Sequence, residues 1–208
     1  MLAPGAMRLV GPVAGLAALA VGAAVLLTGA GRVALVLVAA VLLGLLVFLV
    51  VFFRDPERTA GDGIVSAADG RVLRVERADG RWVVSVFLSV VDVHINRLPL
   101  DGTFEAVETS GRGFRPAYRP DAASNVQRRY RLRTAIGPVD VVQITGIAAR
   151  RLVSFVRPGD ARRKGERFGM IVLGSRTDVL LPADRAEPTV RVGDRVRAGT
   201  STIARILP

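Results

Sequence analysis

The chain has 208 residues, and half of them are hydrophobic. It has no cysteine and a single histidine, which excludes a disulfide framework, a thiolate nucleophile and zinc sites built on two or three histidines. A formal net charge of +11 points to an anionic partner, either a membrane surface or nucleic acid.

Two uncharged apolar stretches occupy the start of the chain, at residues 9–30 and 33–53. Each has about 21 residues, so each would span about 32 Å as an α-helix and could cross a bilayer core of about 30 Å. Gly31 and Arg32 separate the two stretches. The pattern therefore predicts a transmembrane helical hairpin over residues 1–53. Its length and doubling argue against a cleaved signal peptide.

Arginines flanking the hairpin predict its orientation. Arg8, Arg54 and Arg58 lie near the two outer ends, whereas Arg32 stands alone in the turn. The positive-inside rule then places the rest of the chain on the cytoplasmic face of the cell membrane. A basic domain on such a tether is attracted to anionic lipid. Since aromatic residues make up only 5% of the chain, no nucleic-acid partner is expected.

The remaining residues, 54–208, predict one mainly β domain, a compact sandwich or barrel of short strands. Alternating apolar and polar residues recur between turn signals at Asp69-Gly70, Asp79-Gly80 and Gly137-Pro138. No long helical pattern follows residue 54. Residues 111–129 are rich in Gly, Pro, Arg and Ser and predict a long loop.

Two segments, around residues 64–76 and 188–206, resemble the strand-turn-strand hairpins of biotinyl and lipoyl domains. Those domains carry a cofactor on a lysine at the hairpin tip. Neither tip has a lysine here, so the resemblance concerns the fold and argues against a swinging-arm function.

A Gly-Ser pair, Gly174-Ser175, stands between two apolar runs in FGMIVLGSRTDVLLP (168–182). Most Gly-Ser pairs form turns or linkers. One chemistry needs both residues: the hydroxyl of Ser175 attacks the carbonyl of Gly174, and the chain cuts itself. Because Gly174 lacks a Cβ, its backbone can twist to expose that carbonyl.

Four segments, in this order, resemble the phosphatidylserine decarboxylases, in particular their short membrane-anchored bacterial and archaeal form. The segments are FFRDPER (52–58), SAADGRV (66–72), FLSVVDVHINRLPLDG (87–102) and FGMIVLGSRTDVLLP (168–182). The resemblance covers nearly all of residues 50–206, and the LGS motif combined with DVHINRLP is its most specific part.

The resemblance implies a zymogen that cleaves itself between Gly174 and Ser175. Residues 1–174 would become the β subunit and residues 175–208 the α subunit, and the two would stay associated. Ser175 would become a covalent pyruvoyl cofactor, which forms a Schiff base with phosphatidylserine and yields phosphatidylethanolamine and carbon dioxide. The resemblance implies no metal. It leaves the oligomeric state open, with a homo-oligomer as one of the alternatives.

The resemblance also assigns roles to three further residues. His94 is the candidate proton carrier, with a core or surface histidine as the alternative. Asp69 is the candidate that orients or polarises the site, with a turn former as the alternative. Longer relatives have a second histidine where Arg97 stands, so the base for self-cleavage stays open. Arg97 is the candidate ligand of the lipid phosphate, and a surface ion pair is its alternative.

Two functions of other classes remain. A membrane-tethered Ser/Lys hydrolase would bring Ser175 and Lys164 together, but the charged neighbours of Lys164 and the predicted orientation argue against it. A non-enzymatic lipoyl-like adaptor would need neither Ser175 nor His94.

Overall fold

The computed structural model describes residues 1–147, 151–172 and 175–208. Their contacts separate two compact units, Met1–Glu57 and Arg58–Pro208. The division lies four residues beyond the boundary predicted from the end of the second apolar stretch.

The first unit is a pair of packed helices, α1 (Met7–Leu26) and α2 (Gly29–Phe52). They have 20 and 24 residues and mean hydropathies of 2.2 and 3.4, so both have the length and composition of membrane-spanning helices. The predicted position of the turn is wrong. The chain is extended at Leu27 and Thr28, and Gly29 has a φ of +62°, so Gly31 and Arg32 lie inside α2.

The second unit is built from short strands, which confirms the predicted mainly β class. The strands are β1 (Ile64–Val65), β2 (Gly70–Ala78), β3 (Arg81–Leu88), β4 (Ile95–Arg97), β5 (Gly102–Ser110), β6 (Gln127–Thr134), β7 (Gly137–Thr145), β8 (Arg151–Ser154), β9 (Ala161–Arg162), β10 (Arg167–Val172), β11 (Ser175–Pro182), β12 (Ala186–Pro188), β13 (Arg195–Val196) and β14 (Thr202–Ile206). Among the residues described after position 57, the helical element is one 3₁₀ turn, Pro120–Ser124.

The strands form three antiparallel sheets. The large sheet has the order β13-β2-β3-β11-β7-β6-β5-β9, the second sheet β4-β10-β8 and the third β1-β14-β12. Apolar side chains fill the core, and an aromatic cluster joins the second sheet to the large one. In that cluster the Phe168 ring lies 4.8 Å from Tyr130 and 6.1 Å from Phe104.

One of the predicted hairpin turns is confirmed and another is wrong. Asp79 and Gly80, with φ of 50° and 73°, connect β2 to β3. Asp69-Gly70 connects no hairpin, because β1 pairs with β14 instead of β2. Gly70 is required for a different reason: its φ is +142°, and an added Cβ would lie 1.9 Å from the carbonyl oxygen of Phe87.

The predicted loop at 111–129 is more ordered than its composition indicates. Buried Asn125 organises it: its side chain accepts a 2.7 Å hydrogen bond from the Arg115 backbone N–H and donates one of 2.6 Å to the Thr145 carbonyl. Residues 148–157 have a mixed pattern that fits a short helix or a strand. Of these, Arg151–Ser154 form β8, whereas 148–150 lie outside the described residues.

Candidate active site

Ser175 is the first residue of β11, a central strand of the large sheet. It pairs with Leu88 on β3 and with Thr145 on β7, and it is completely buried. Its hydroxyl has no hydrogen-bond partner among the described residues. A buried hydroxyl without a partner costs about 1–3 kcal/mol, so such a group calls for a functional explanation. Gly174, its predicted partner in cleavage, lies outside the described residues.

A chain of buried polar side chains joins the second sheet to the large sheet beside Ser175. Asn96 Nδ2 donates to Thr177 Oγ1 at 3.2 Å, and Gln143 Nε2 donates to Asn96 Oδ1 at 2.7 Å. The hydroxyl of Tyr130 donates to Gln143 Oε1 at 3.0 Å. Since each member is paired, the network holds β4 above β11 in one register.

The relative direction of the two sheets follows from contacts at β8. Arg128 donates to the Leu152 carbonyl at 3.1 Å, and two residues further along both strands Ser154 lies beside Tyr130. Strands β6 and β8 therefore run in the same direction. Two antiparallel steps separate β6 from β11, and two separate β8 from β4. Strands β4 and β11 are thus parallel to each other.

This register indicates that His94 lies near Ser175. The β4–β10 ladder extends to His94, whose carbonyl accepts a 3.1 Å hydrogen bond from the Ile171 N–H. Side chains alternate along a strand, so His94 lies on the face of Asn96, and Ser175 on the face of Thr177. Because Asn96 contacts Thr177 and the strands run in the same direction, His94 and Ser175, each two positions earlier, are expected to approach each other.

The tautomer of His94 follows from its backbone neighbour. The side chain is buried, and its Nδ1 lies 2.9 Å from the carbonyl oxygen of Asp92. Because a carbonyl can only accept, Nδ1 carries the proton and donates it. In the neutral imidazole, Nε2 is then the basic nitrogen, which is the form that general-base catalysis needs.

The carboxylate of Asp69 is held by other groups. Arg58 binds both of its oxygens, with N–O distances of 2.5 and 2.8 Å, and the Ala198 N–H donates to Oδ1 at 2.8 Å. The next residue, Gly70, packs against the backbone of Leu88, the pairing partner of Ser175. Asp69 therefore fixes the start of β2, which strand β3 separates from Ser175.

Arg97 lies on the opposite face of β4 from Asn96. It is buried and donates to the Gly165 carbonyl at 3.0 Å. It also lines a cavity of about 440 Å³ whose walls are mostly basic. The lining residues are Arg58, Ala60, Arg97, Arg162, Lys164, Gly165, Glu166 and Arg167. This basic cavity has the charge to bind a phosphate or another anion.

A buried ion pair lies on the far face of β11. Arg176 Nε is 3.0 Å from Asp178 Oδ1, and both side chains are less than a tenth exposed. Burial raises the pKa of Asp178, and the nearby Arg176 charge opposes this only in part. Because side chains alternate along β11, this pair lies on the side of the strand away from Ser175 and Thr177.

Comparisons with known proteins identify the family of this chain. The family model described as phosphatidylserine decarboxylase matches residues 45–204. The chain belongs to the phosphatidylserine decarboxylase family. A phosphatidylserine decarboxylase proenzyme from Carboxydothermus hydrogenoformans is 43% identical over 79% of this chain and 84% of its own length.

Two further relatives come from other organisms. The proenzyme of the same name from Streptomyces griseus is 41% identical over 74% of this chain and 72% of its own length. A relative from Methanococcoides burtonii, whose name gives archaetidylserine as the substrate, is 40% identical over 76% of this chain and 75% of its own length.

Sequence reasoning missed the buried polar network beside Ser175. Asn96 lies within the DVHINRLP segment, two residues from His94, so strand alternation would have placed both on one face. Gln143 and Tyr130 stand in other alternating segments. Their connection to Asn96 depends on the packing of two sheets, which no local pattern predicts.

Proposed function

We propose that this chain is a self-processing decarboxylase that converts phosphatidylserine to phosphatidylethanolamine and carbon dioxide. The observation that carries the proposal is the buried hydroxyl of Ser175, which has no partner among the described residues and stands at the start of a central strand. The family match supports the reaction and its substrate.

In the proposed maturation, Ser175 Oγ attacks the Gly174 carbonyl carbon as its proton passes to a base. The C–O bond forms and the peptide C–N bond breaks, which leaves an ester and a free amine on Ser175. Elimination then breaks the Cβ–O bond, releasing the Gly174 carboxylate, and water replaces the nitrogen of the resulting enamine as ammonia leaves. The product is a pyruvoyl group at position 175.

The site fits a pyruvoyl group at this position. Strand β11 continues from Ser175 to Pro182 between β3 and β7, so a new N-terminus at Ser175 would stay anchored on both sides. When formed, the group supplies a carbonyl that accepts the substrate amine and draws electrons from the bond to the carboxylate.

His94 is the proposed base and acid of this site. Its Nε2 would take the proton of Ser175 Oγ during cleavage, because the Asp92 carbonyl holds the other ring proton on Nδ1. In the later reaction, the same nitrogen would deliver a proton to the substrate carbon that has lost carbon dioxide. One histidine would then serve both steps, which accounts for an arginine at position 97.

Asp69 is proposed to position the site through the backbone. Its ion pair with Arg58 and its bond from the Ala198 N–H join three distant parts of the chain next to Leu88. Asp69→Asn should therefore slow maturation, and normal maturation of this variant would contradict the role.

Arg97 is proposed to bind a lipid phosphate in the basic cavity. It lies three positions after His94, which corresponds to about 10 Å along the backbone, and its side chain lies on the other face of β4. Only four bonds separate the phosphorus from the amine of phosphatidylserine, a span of about 5 Å by bond lengths. The proposed phosphate is therefore that of a neighbouring lipid, not of the molecule reacting at Ser175.

The two products of cleavage should remain associated. Residues 175–208 supply β11 to the centre of the large sheet and β13 to its edge, and β12 and β14 to the third sheet. Both fragments thus share one core. Arg8, Arg54 and Arg58, near the outer ends of α1 and α2, support a location at the cell membrane with this domain on the cytoplasmic face.

The mass of the intact protein tests the proposal. We expect two fragments from the purified wild-type protein, with a blocked N-terminus on the smaller one. Ser175→Ala should remain a single inactive chain of 22.1 kDa, and the exposed-site control Ser110→Ala should mature normally. An active wild-type protein that stays uncut, with an unmodified serine at position 175, would overturn the proposal.

The two alternatives predict other outcomes. A Ser/Lys hydrolase would be active as one chain and would lose activity in Lys164→Gln. The Nζ of Lys164 donates to the Gly63 carbonyl at 3.2 Å and lines the basic cavity, so it is placed for another role. An adaptor would be unchanged in every property by Ser175→Ala.

A further inference from the structure

Exposed apolar side chains surround the end of the central strands at which β11 begins. We call this set the apolar rim: Val90, Val91, Phe114, Tyr118 and Ile147, with exposed fractions of 47, 59, 41, 62 and 62%. Large apolar side chains that cluster on a surface mark sites that bind a membrane, a ligand or a protein.

The rim is built on the strands that flank Ser175. Val90 follows Leu88 by two residues, and Ile147 follows Thr145 by two. Leu88 and Thr145 are the two pairing partners of Ser175. The two apolar residues therefore lie on either side of the strand end that carries the reactive serine.

The loop before β6 contributes the other part of the rim. The ring of Tyr118 packs at 6.1 Å against Phe87, which pairs with Arg176. Arg176 also donates to the Ala117 carbonyl at 3.5 Å. These contacts hold the loop, and Phe114 with it, beside the first residues of β11.

Basic side chains accompany the apolar ones. Arg112, Arg115 and Arg119 are exposed in the same loop, and of these Arg115 pairs with Asp121 at 2.7 Å. Apolar and aromatic side chains interspersed with arginines are typical of surfaces that insert into the headgroup region of anionic bilayers.

We propose that the apolar rim docks on an anionic phospholipid bilayer and directs the Ser175 site toward it. This inference rests on the proposed function, because a lipid substrate is what the docked site would receive. With the rim in the headgroup region, a serine headgroup could reach Ser175 while its acyl chains stay in the bilayer. The two apolar helices and the rim arginines favour a bilayer over a second protein as the occupant.

Fluorescent labels on the full chain test the docking. The protein has no cysteine, so Val90→Cys and Ile147→Cys each give one labelling site. The control is Ala135→Cys, an exposed residue in the turn between β6 and β7, about 26 Å along the strands from Thr145. Each variant is labelled with an environment-sensitive dye and reconstituted in vesicles of phosphatidylcholine and phosphatidylglycerol that contain a quencher lipid.

Labels at positions 90 and 147 should be quenched at least threefold more than the label at 135. Equal quenching at all three positions would overturn the proposal. A blue shift in the emission of the labels at 90 and 147 in detergent would also overturn the proposal if it disappeared on dilution. It would show that a second copy of the chain covers the rim.

Activity on two forms of the substrate gives an independent measurement. Val90→Asp should lower decarboxylation of phosphatidylserine in vesicles by about tenfold, since it replaces an apolar side chain of the rim with an anion that the anionic bilayer repels. Its activity on dissolved short-chain phosphatidylserine should stay within twofold of wild type, and Ala135→Asp should change neither. An equal loss on both substrates would overturn docking. If the wild type decarboxylated neither, the proposed function would fail, while the labels would still report on the rim.

Discussion

Removing the side chain of Asn96 should destabilise the protein and slow its maturation. In Asn96→Ala, the buried amide of Gln143 loses its acceptor at 2.7 Å, and Thr177 loses its donor at 3.2 Å. The Ala67 carbonyl keeps a second donor, the Arg97 N–H, and is not orphaned. One orphaned buried amide costs about 2 kcal/mol and the small cavity about 1 kcal/mol, so we expect a loss of about 3 kcal/mol.

A smaller perturbation of the same network is the matched control. Thr177→Val removes one acceptor, while Asn96 Nδ2 keeps the Ala67 carbonyl at 3.1 Å, so the expected loss is about 1 kcal/mol. Both variants are compared by urea unfolding in a Ser175→Ala background, where every protein is one chain. Equal losses in the two variants would refute this account of the network.

The maturation rate gives a second test of the same residue. The network holds β4 above β11, so its loss should move His94 away from Ser175. In an otherwise wild-type chain, Asn96→Ala should therefore mature at least tenfold more slowly than Thr177→Val, which is checked by following the two fragments over time. Equal rates would mean that Asn96 contributes to stability alone.

Three further predictions concern other charged and basic groups. His94→Ala should stall maturation, decarboxylation or both, and full processing with full activity would exclude His94 from the chemistry. Arg97→Gln should weaken the binding of inorganic phosphate about tenfold by calorimetry, whereas the exposed-site variant Arg191→Gln should not; equal affinities would remove the basic cavity as an anion site. Burial raises the pKa of Asp178 above its ordinary value of 3.8, so the folded protein keeps a proton that the unfolded chain has lost, and stability should fall as the pH rises from 3.8 through the raised pKa. Asp178→Asn should remove this part of the pH dependence in urea titrations, and an unchanged dependence would assign it to another group.

Local patterns predicted the class of each part of the chain. Uninterrupted apolar composition is sufficient to predict α1 and α2, because a helix in lipid satisfies its own backbone. Alternation with turn residues predicted the mainly β unit and the Asp79-Gly80 hairpin, since both depend on neighbours in sequence. The predicted position of the helix break was wrong, because the break depends on backbone angles at Leu27–Gly29. The predicted hairpin of β1 was wrong, because β1 pairs with a strand about 140 residues away.

The sequence by itself determined the two apolar helices, the β class and the family that its motifs resemble, and it singled out Gly174-Ser175 as the candidate cleavage pair. Only the tertiary structure decided that Asn96 contacts Thr177 beside Ser175, that Arg58 and Ala198 occupy the carboxylate of Asp69, and that Arg97 lies in a separate basic cavity. The physical reason is that these relations depend on how two sheets pack and in which direction their strands run. A strand pattern specifies which face a side chain occupies, whereas the partner on that face is set by residues far away in the chain.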